Sequence, residues 1–204
     1  MSLSDSQIFE LAKRMRIPLK DVVFKDELTA PLEYNKSYII NLEDSVDEEG
    51  RPNEGTHWCF LQVNKYPNDK IESIWFDPYG QPAPECVKKA VKDTTKKQGL
   101  PHTKKDVQSL MNNACGWYCL AMGHFINASS YRSGDLYDDV ALFLDMFEDL
   151  NHSCDFKKNE YILKHFFRSE DPSLRKEIDV ITTEDTKGGI DAFKVPCDIK
   201  VMNK

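Results

Sequence analysis

Apolar residues recur along this chain with two different periods. Ile8, Leu11, Ala12 and Met15 fall at helical spacing, with Ser4 or Asp5 placed to cap the segment and Pro18 to end it. Residues 36–42 read as a short strand, and the charged, Gly- and Pro-containing DSVDEEGRPNEG that follows reads as a loop. THWCFLQV (56–63) and IESIWFD (71–77) are apolar, aromatic-rich runs on either side of a turn at NKYPND, the pattern of an antiparallel hairpin. Helical spacing returns over 84–97, where Val87, Ala90 and Val91 alternate with lysines, and DVQSL (106–110) reads as another short strand. The segment 114–127 is apolar on nearly every side, which predicts a helix buried all round. DLYDDVALFLDMFEDL, with Val140, Phe143, Leu144 and Phe147 on one face, and FKKNEYILKHFF predict two more helices. Beyond Ser169 the chain turns polar.

This order predicts an α+β fold: a small mixed or antiparallel sheet packed against helices, with a buried central helix carrying the catalytic cysteine at its N-terminus. Residues 1–168 are expected to form a single domain and 169–204 a polar C-terminal extension. A chain of 204 residues can bury a core without disulfides or metal. The six cysteines are too sparse for a secreted disulfide scaffold, so they read as reduced thiols in a cytosol-like compartment. No apolar run is long enough to span a membrane, and the N-terminus lacks the apolar core of a secretory signal. The net charge of −7 argues against general nucleic-acid binding. The charge is uneven, however. Seven lysines lie between Lys88 and Lys105, a solvated helix face or a patch for an acidic partner.

Candidate chemistry centres on QSLMNNACGWYC. Cys115 falls where an Asn-rich turn becomes the apolar helix, with Asn112 and Asn113 available as caps. Unpaired N–H groups and the dipole at a helix start favour a thiolate. Gly116 allows another chain to approach the backbone closely. Cys119, one turn deeper, reads as core. His-x-Cys pairs such as HWC are weak signals, and the Cys115/Cys119 spacing is not a zinc spacing.

A thiolate needs a base. His124 lies nine residues along the same helix, about 13 Å away, and faces the wrong side. His57, after a glycine at a strand start, is the candidate, with Trp58 beside it to shield the site from water. Asp77, at the end of the paired strand, can orient the imidazole if the hairpin register brings the two ends together. Gln108 can donate its amide N–H to a developing oxyanion.

The ordered set GTHW…WFDPYG…QSLMNNACGWYC, over roughly residues 55–127, resembles the adenain family of adenovirus maturation proteases. Its wider relatives include the ULP-type ubiquitin-like-protein proteases and the proteases of virophages and Polinton-like elements. The matched positions are His57 with Trp58, Asp77 with Pro78, Tyr79 and Gly80, then Gln108, then Cys115 with Gly116. The resemblance implies a Cys-His-Asp endopeptidase with a Gln oxyanion hole, catalytic residues His57, Asp77, Gln108 and Cys115, and a narrow substrate groove near Trp58 and Gly116. It implies capsid precursors cut after Gly-containing sequences, with no metal required. It also implies a monomer in host cytoplasm or viral factory that is packaged in the virion.

Adenain is basic and uses DNA and a disulfide-linked activating peptide. The acidic charge here argues against DNA in that role, and only Cys86 offers itself for a peptide. Two alternatives stay open: a ubiquitin-like-protein deconjugating protease, and a non-catalytic protein-binding module on the same fold. Gly188-Gly189 reads as a flexible turn or a self-processing site.

Overall fold

The computed structural model describes residues 3–110, 112–128, 132–150 and 155–174. Its first helix, α1 (Asp5–Arg14), starts at a capping box. The Ser4 hydroxyl accepts the Gln7 N–H at 3.3 Å and the Gln7 side chain accepts the Ser4 N–H at 2.9 Å. Next comes β1 (Leu19–Phe24), which hydrophobic alternation does not announce because only Val22 of it is buried. Then follow β2 (Lys36–Asn41), β3 (Trp58–Lys65) and β4 (Ile71–Phe76). The helices are α2 (Glu85–Thr95), α3 (Cys115–Asn127), α4 (Leu136–Asp145) and α5 (Asp155–Glu170), closed by a 3-10 turn at Pro172–Leu174.

The sheet runs β1-β2-β3-β4. β1 lies parallel to β2, and the other two pairings are antiparallel. Strand alternation sorts side chains into two cores. Ile39, Trp58, Phe60, Ile74 and Phe76 pack with α1, α3, α4 and α5. Tyr38, Ile40, Cys59, Leu61, Val63 and Trp75 pack with α2. Central strand β3 is therefore buried over all but its last residue.

Every residue of α3 except His124 and Asn127 is buried. Gly123 lets this helix lie close on the sheet: a Cβ there would meet Phe60 at 3.0 Å and Ile17 at 3.1 Å. Asp135 caps α4 through the N–H groups of Tyr137 and Asp138.

Two expectations need correction. The chain is α+β with a four-stranded mixed sheet packed against helices, but the fold expectation set the site's cysteine at the N-terminus of the buried central helix. The cysteine that clusters with His57 and Asp77 is Cys59, and it lies in strand β3. Strand geometry is the reason, since residues two apart share a face and the facing strand adds its own residue there. The second correction is that residues 106–110 form no strand. The N–H groups of Val107 and Gln108 both turn to the Pro78 carbonyl, at 2.9 and 3.2 Å, so the segment packs as a loop beside the end of β4. The Gly188-Gly189 stretch, Cys154, Cys197 and His152 lie outside the described residues.

Phe143 joins the layers. It is fully buried and meets Phe76, Phe125 and Phe147 at ring-centroid distances of 5.9, 5.6 and 5.1 Å. Phe143→Ala is expected to cost about 3–5 kcal/mol in urea unfolding. Leu142→Ala, at a side chain 51% exposed, should change stability by under about 0.5 kcal/mol. Equal effects of the two would contradict this packing.

Candidate active site

The β3–β4 register builds the site. The last ladder pair at this end is Phe60 opposite Phe76. Continuing that register past the ladder sets Cys59 opposite Asp77 and His57 opposite Tyr79. Opposed side chains in an antiparallel pair start roughly 4.5–5.5 Å apart at Cβ, and diagonal neighbours come within reach of long side chains. The observed contacts follow this pattern. The His57 and Tyr79 rings stack with centroids 4.4 Å apart. On the diagonal, His57 Nε2 and Asp77 Oδ1 are 2.8 Å apart.

Asp77 is 1% exposed and is held from its own turn as well. Its Oδ1 accepts the Tyr79 N–H at 2.8 Å, and its carbonyl accepts the Gly80 N–H at 2.8 Å. Gly80 has φ +68°, and a Cβ there would strike the Lys104 carbonyl oxygen at 2.6 Å. The DPYG turn thus fixes the carboxylate before it meets the imidazole.

Burial disfavours the charged form of His57. Hydrogen bonds to Asp77 and Cys115 and the negative charges of both oppose this, and its pKa is pushed up to about 9. Nε2 faces Asp77, and the shift favours the protonated form of the imidazole.

Two more thiols are buried nearby. Burial, followed by the charge of Asp77, raises the Cys59 pKa well above its ordinary value, so this thiol stays neutral. Cys119 is raised likewise by burial, and its Sγ donates to the Trp58 carbonyl at 3.3 Å. Cys115 is 2% exposed and opens α3.

The helix has Ala114 as N-cap, with no side-chain capping bond. Asn112, two residues before the N-cap, accepts the Ala114 N–H on Oδ1 at 3.1 Å, and Asn113 is exposed. Asn112 Nδ2 donates to Glu160 Oε1 of α5 at 2.7 Å. Gln108, 1% exposed, donates from Nε2 to the Asn112 carbonyl at 2.9 Å and to Tyr79 Oη at 3.2 Å. Its Oε1 is buried without a partner among the described residues.

Trp58 and Gly116 meet at Leu3. The Trp58 indole N–H donates to the Leu3 carbonyl at 2.9 Å, and a Cβ on Gly116 would lie 3.3 Å from the Leu3 side chain. His124 bonds Met15 and Glu170 instead of the site.

His57, Cys59 and Asp77 form a buried cluster consistent with a cysteine-protease-type arrangement, their donor atoms all within 4.8 Å of one another. Such donors could also hold a metal ion. Ligation would need a Cys59 thiolate and a free imidazole nitrogen. Nε2 already bonds Asp77, and binding would have to displace that bond as well as the buried thiol's proton. The hydrogen-bonded reading fits these donors better.

Cys59 and Glu160 escaped the sequence reading, and Tyr79 entered it only as a motif position without a role. Strand alternation from His57 could have found Cys59, and the hairpin register could have found Tyr79. Nothing local marks Glu160. No described helix is long and apolar enough to cross a membrane. No family model matches the chain, and no curated protein matches it.

The His57 shift has a defined sign. A folded-state pKa of about 9, above the ordinary 6.5, contributes stability fully present below pH 6.5 and lost as pH rises through 9. Free thiols ionise only above about 8.5, so Cys59 and Cys119 add their own loss later in the titration. Thermal midpoints of the wild type should fall between pH 6.5 and 9, and the fall should shrink in His57→Gln. Parallel profiles for the two proteins would contradict the buried ion pair.

Proposed function

We propose that the protein is a cysteine endopeptidase, with Cys115 as nucleophile, His57 as its acid–base partner and Asp77 orienting the imidazole. Gln108 and the Cys115 backbone N–H stand on the oxyanion side. The observation that carries this reading is the buried His57–Asp77 bond of 2.8 Å beside cysteine sulfur. Two thiols compete for the role. Cys59 is held neutral by burial and is a poor nucleophile. Cys115 lies close enough to the imidazole to raise its pKa, and a protonated imidazole is what a thiolate needs beside it.

The chemistry balances without a cofactor. The Cys115 thiolate attacks the scissile carbonyl carbon, and the C=O π pair moves to oxygen. Collapse of that oxyanion breaks the C–N bond as His57 gives its proton to the leaving amine. Water then attacks the thioester while His57 takes a proton, releasing the acid and the thiolate.

The ordered motifs favour a maturation protease of a virus or mobile element, cutting capsid precursors after Gly-containing sequences. It would work as a monomer in a reducing intracellular setting, the host cytoplasm or viral factory, and be packaged in the virion. The described cysteines Cys59, Cys86, Cys115 and Cys119 are all free, which suits such a setting. Trp58 and Gly116 would border the substrate groove.

Limiting iodoacetamide at pH 7 followed by peptide mapping should label Cys115 at least about tenfold faster than Cys59 or Cys119. His57→Ala should remove that preference. Preferential labelling of Cys59, or equal labelling of all three, would sink the assignment. Asp77→Ala should lower kcat/KM on a Gly-containing capsid-type peptide by about 10²–10⁴-fold. Cleavage of Gly-Gly ubiquitin-like conjugates in place of such peptides would move the protein to the deconjugating class.

A further inference from the structure

Gln108 was expected to donate directly to the oxyanion, but its amide is already committed. A primary amide has two N–H donors. One is given to the Asn112 carbonyl at 2.9 Å and the other to Tyr79 Oη at 3.2 Å. The amide cannot usefully flip, because the Asn112 carbonyl can only accept and would then face Oε1. Gln108 is 1% exposed, and its loop is tied down on both sides of it.

The Tyr79 hydroxyl is differently placed. It accepts from Gln108, so its own O–H proton is still to be given, and no acceptor for it lies within hydrogen-bonding distance among the described residues. The ring is fixed from two directions. Its face stacks on His57 at 4.4 Å with the planes 20° apart, and its backbone N–H is bound by Asp77 at 2.8 Å. Tyr79 is only partly buried, so part of the residue beside the His57 ring is open to solvent.

We propose that the Tyr79 hydroxyl is an oxyanion donor of this site and that Gln108 acts through it as a positioning residue. The proposal rests on the endopeptidase reading above. As the Cys115 sulfur bonds the carbonyl carbon, the π pair moves to the carbonyl oxygen, which accepts a hydrogen bond from the Tyr79 O–H. The proton stays on tyrosine. The Gln108 N–H directed at Oη strengthens that donor by polarising it. Burial, and then the charges of Cys115 and Asp77, push the Tyr79 pKa up to about 12, so the group remains a neutral donor at working pH. One side chain thus touches both the base and the amide.

Tyr79→Phe keeps the stacked ring and deletes only the hydroxyl. It should lower kcat by about 10²–10³-fold on a Gly-containing peptide, with KM within about twofold. An N-acetyl peptide aldehyde ending in glycinal, whose hemithioacetal oxygen sits where the oxyanion forms, should bind the variant at least about tenfold more weakly. Iodoacetamide labelling of Cys115 forms no oxyanion and should be unchanged. Gln108→Ala added to Tyr79→Phe should cost little more than Tyr79→Phe alone.

Wild-type kcat and aldehyde affinity in Tyr79→Phe would overturn the proposal alone. So would a loss of Cys115 labelling matching the loss of kcat, since that marks a structural role. A wild-type protein that neither cleaves peptide nor binds the aldehyde would overturn the endopeptidase reading, and this proposal with it.

Discussion

The pairing register of β3 and β4 is the constraint on which the candidate site depends. Phe60 faces Phe76 at the last bonded pair, and every functional contact on the sheet side follows from extending that alignment. A slip of one residue would turn His57 and Cys59 to the opposite face from Asp77 and Tyr79. The register is strongly specified because both faces of β3 are buried, so a slip would exchange the contents of two cores. The fold secures the geometry of the candidate site with the same apolar contacts that stabilise it.

His57 lies just beyond the start of β3, between those two cores. Cys59 belongs to the core shared with α2, whereas Cys115 belongs to the core shared with α3. A histidine there reaches sulfur from either side, and electrostatics separate the two thiols. Cys59 is fully buried near the Asp77 carboxylate, and both conditions favour its protonated form. Cys115 lies instead beside the imidazole whose pKa it helps to raise. The same carboxylate therefore disfavours ionisation of Cys59 and favours protonation of the ring beside Cys115.

The long elements were legible in the sequence because their patterns report burial directly. The apolar segment 114–127 became α3, and the two runs around NKYPND became β3 and β4, each within about two residues. β1 was missed because an edge strand with one buried residue has little alternation to read. DVQSL was misread because Val107 and Gln108 are buried by loop contacts, with no ladder. His57 and Asp77 were legible as motif positions, but their meeting required a register that sequence leaves open. Cys59 was passed over because a His-x-Cys pair is uninformative until the strand it occupies has a partner. Glu160 was invisible for a different reason. Its significance lies in a bond to Asn112, 48 residues away.

That distant bond belongs to a wider set of contacts. The described residues of 101–114 form no helix or strand, and buried ones among them such as Val107, Gln108 and Asn112 must find partners for their backbone groups. Pro78 takes the N–H groups of Val107 and Gln108 from the β4 side. From the other side, Asn159 of α5 donates to the Val107 carbonyl at 3.0 Å and Glu160 accepts from Asn112 at 2.7 Å. Asn112 in turn receives the Gln108 amide on its carbonyl and the Ala114 N–H on its side chain. A helix that contributes no residue to the His57, Cys59 and Asp77 cluster thus holds the Gln108 loop and the residues leading into Cys115. The strands orient His57 and Asp77, and α5 orients the loop that carries Gln108. The two halves meet through the Tyr79 hydroxyl at 3.2 Å from Gln108. Displacing α5 would therefore loosen the Gln108 loop while leaving the His57–Asp77 pair intact, because no described contact of that pair involves α5.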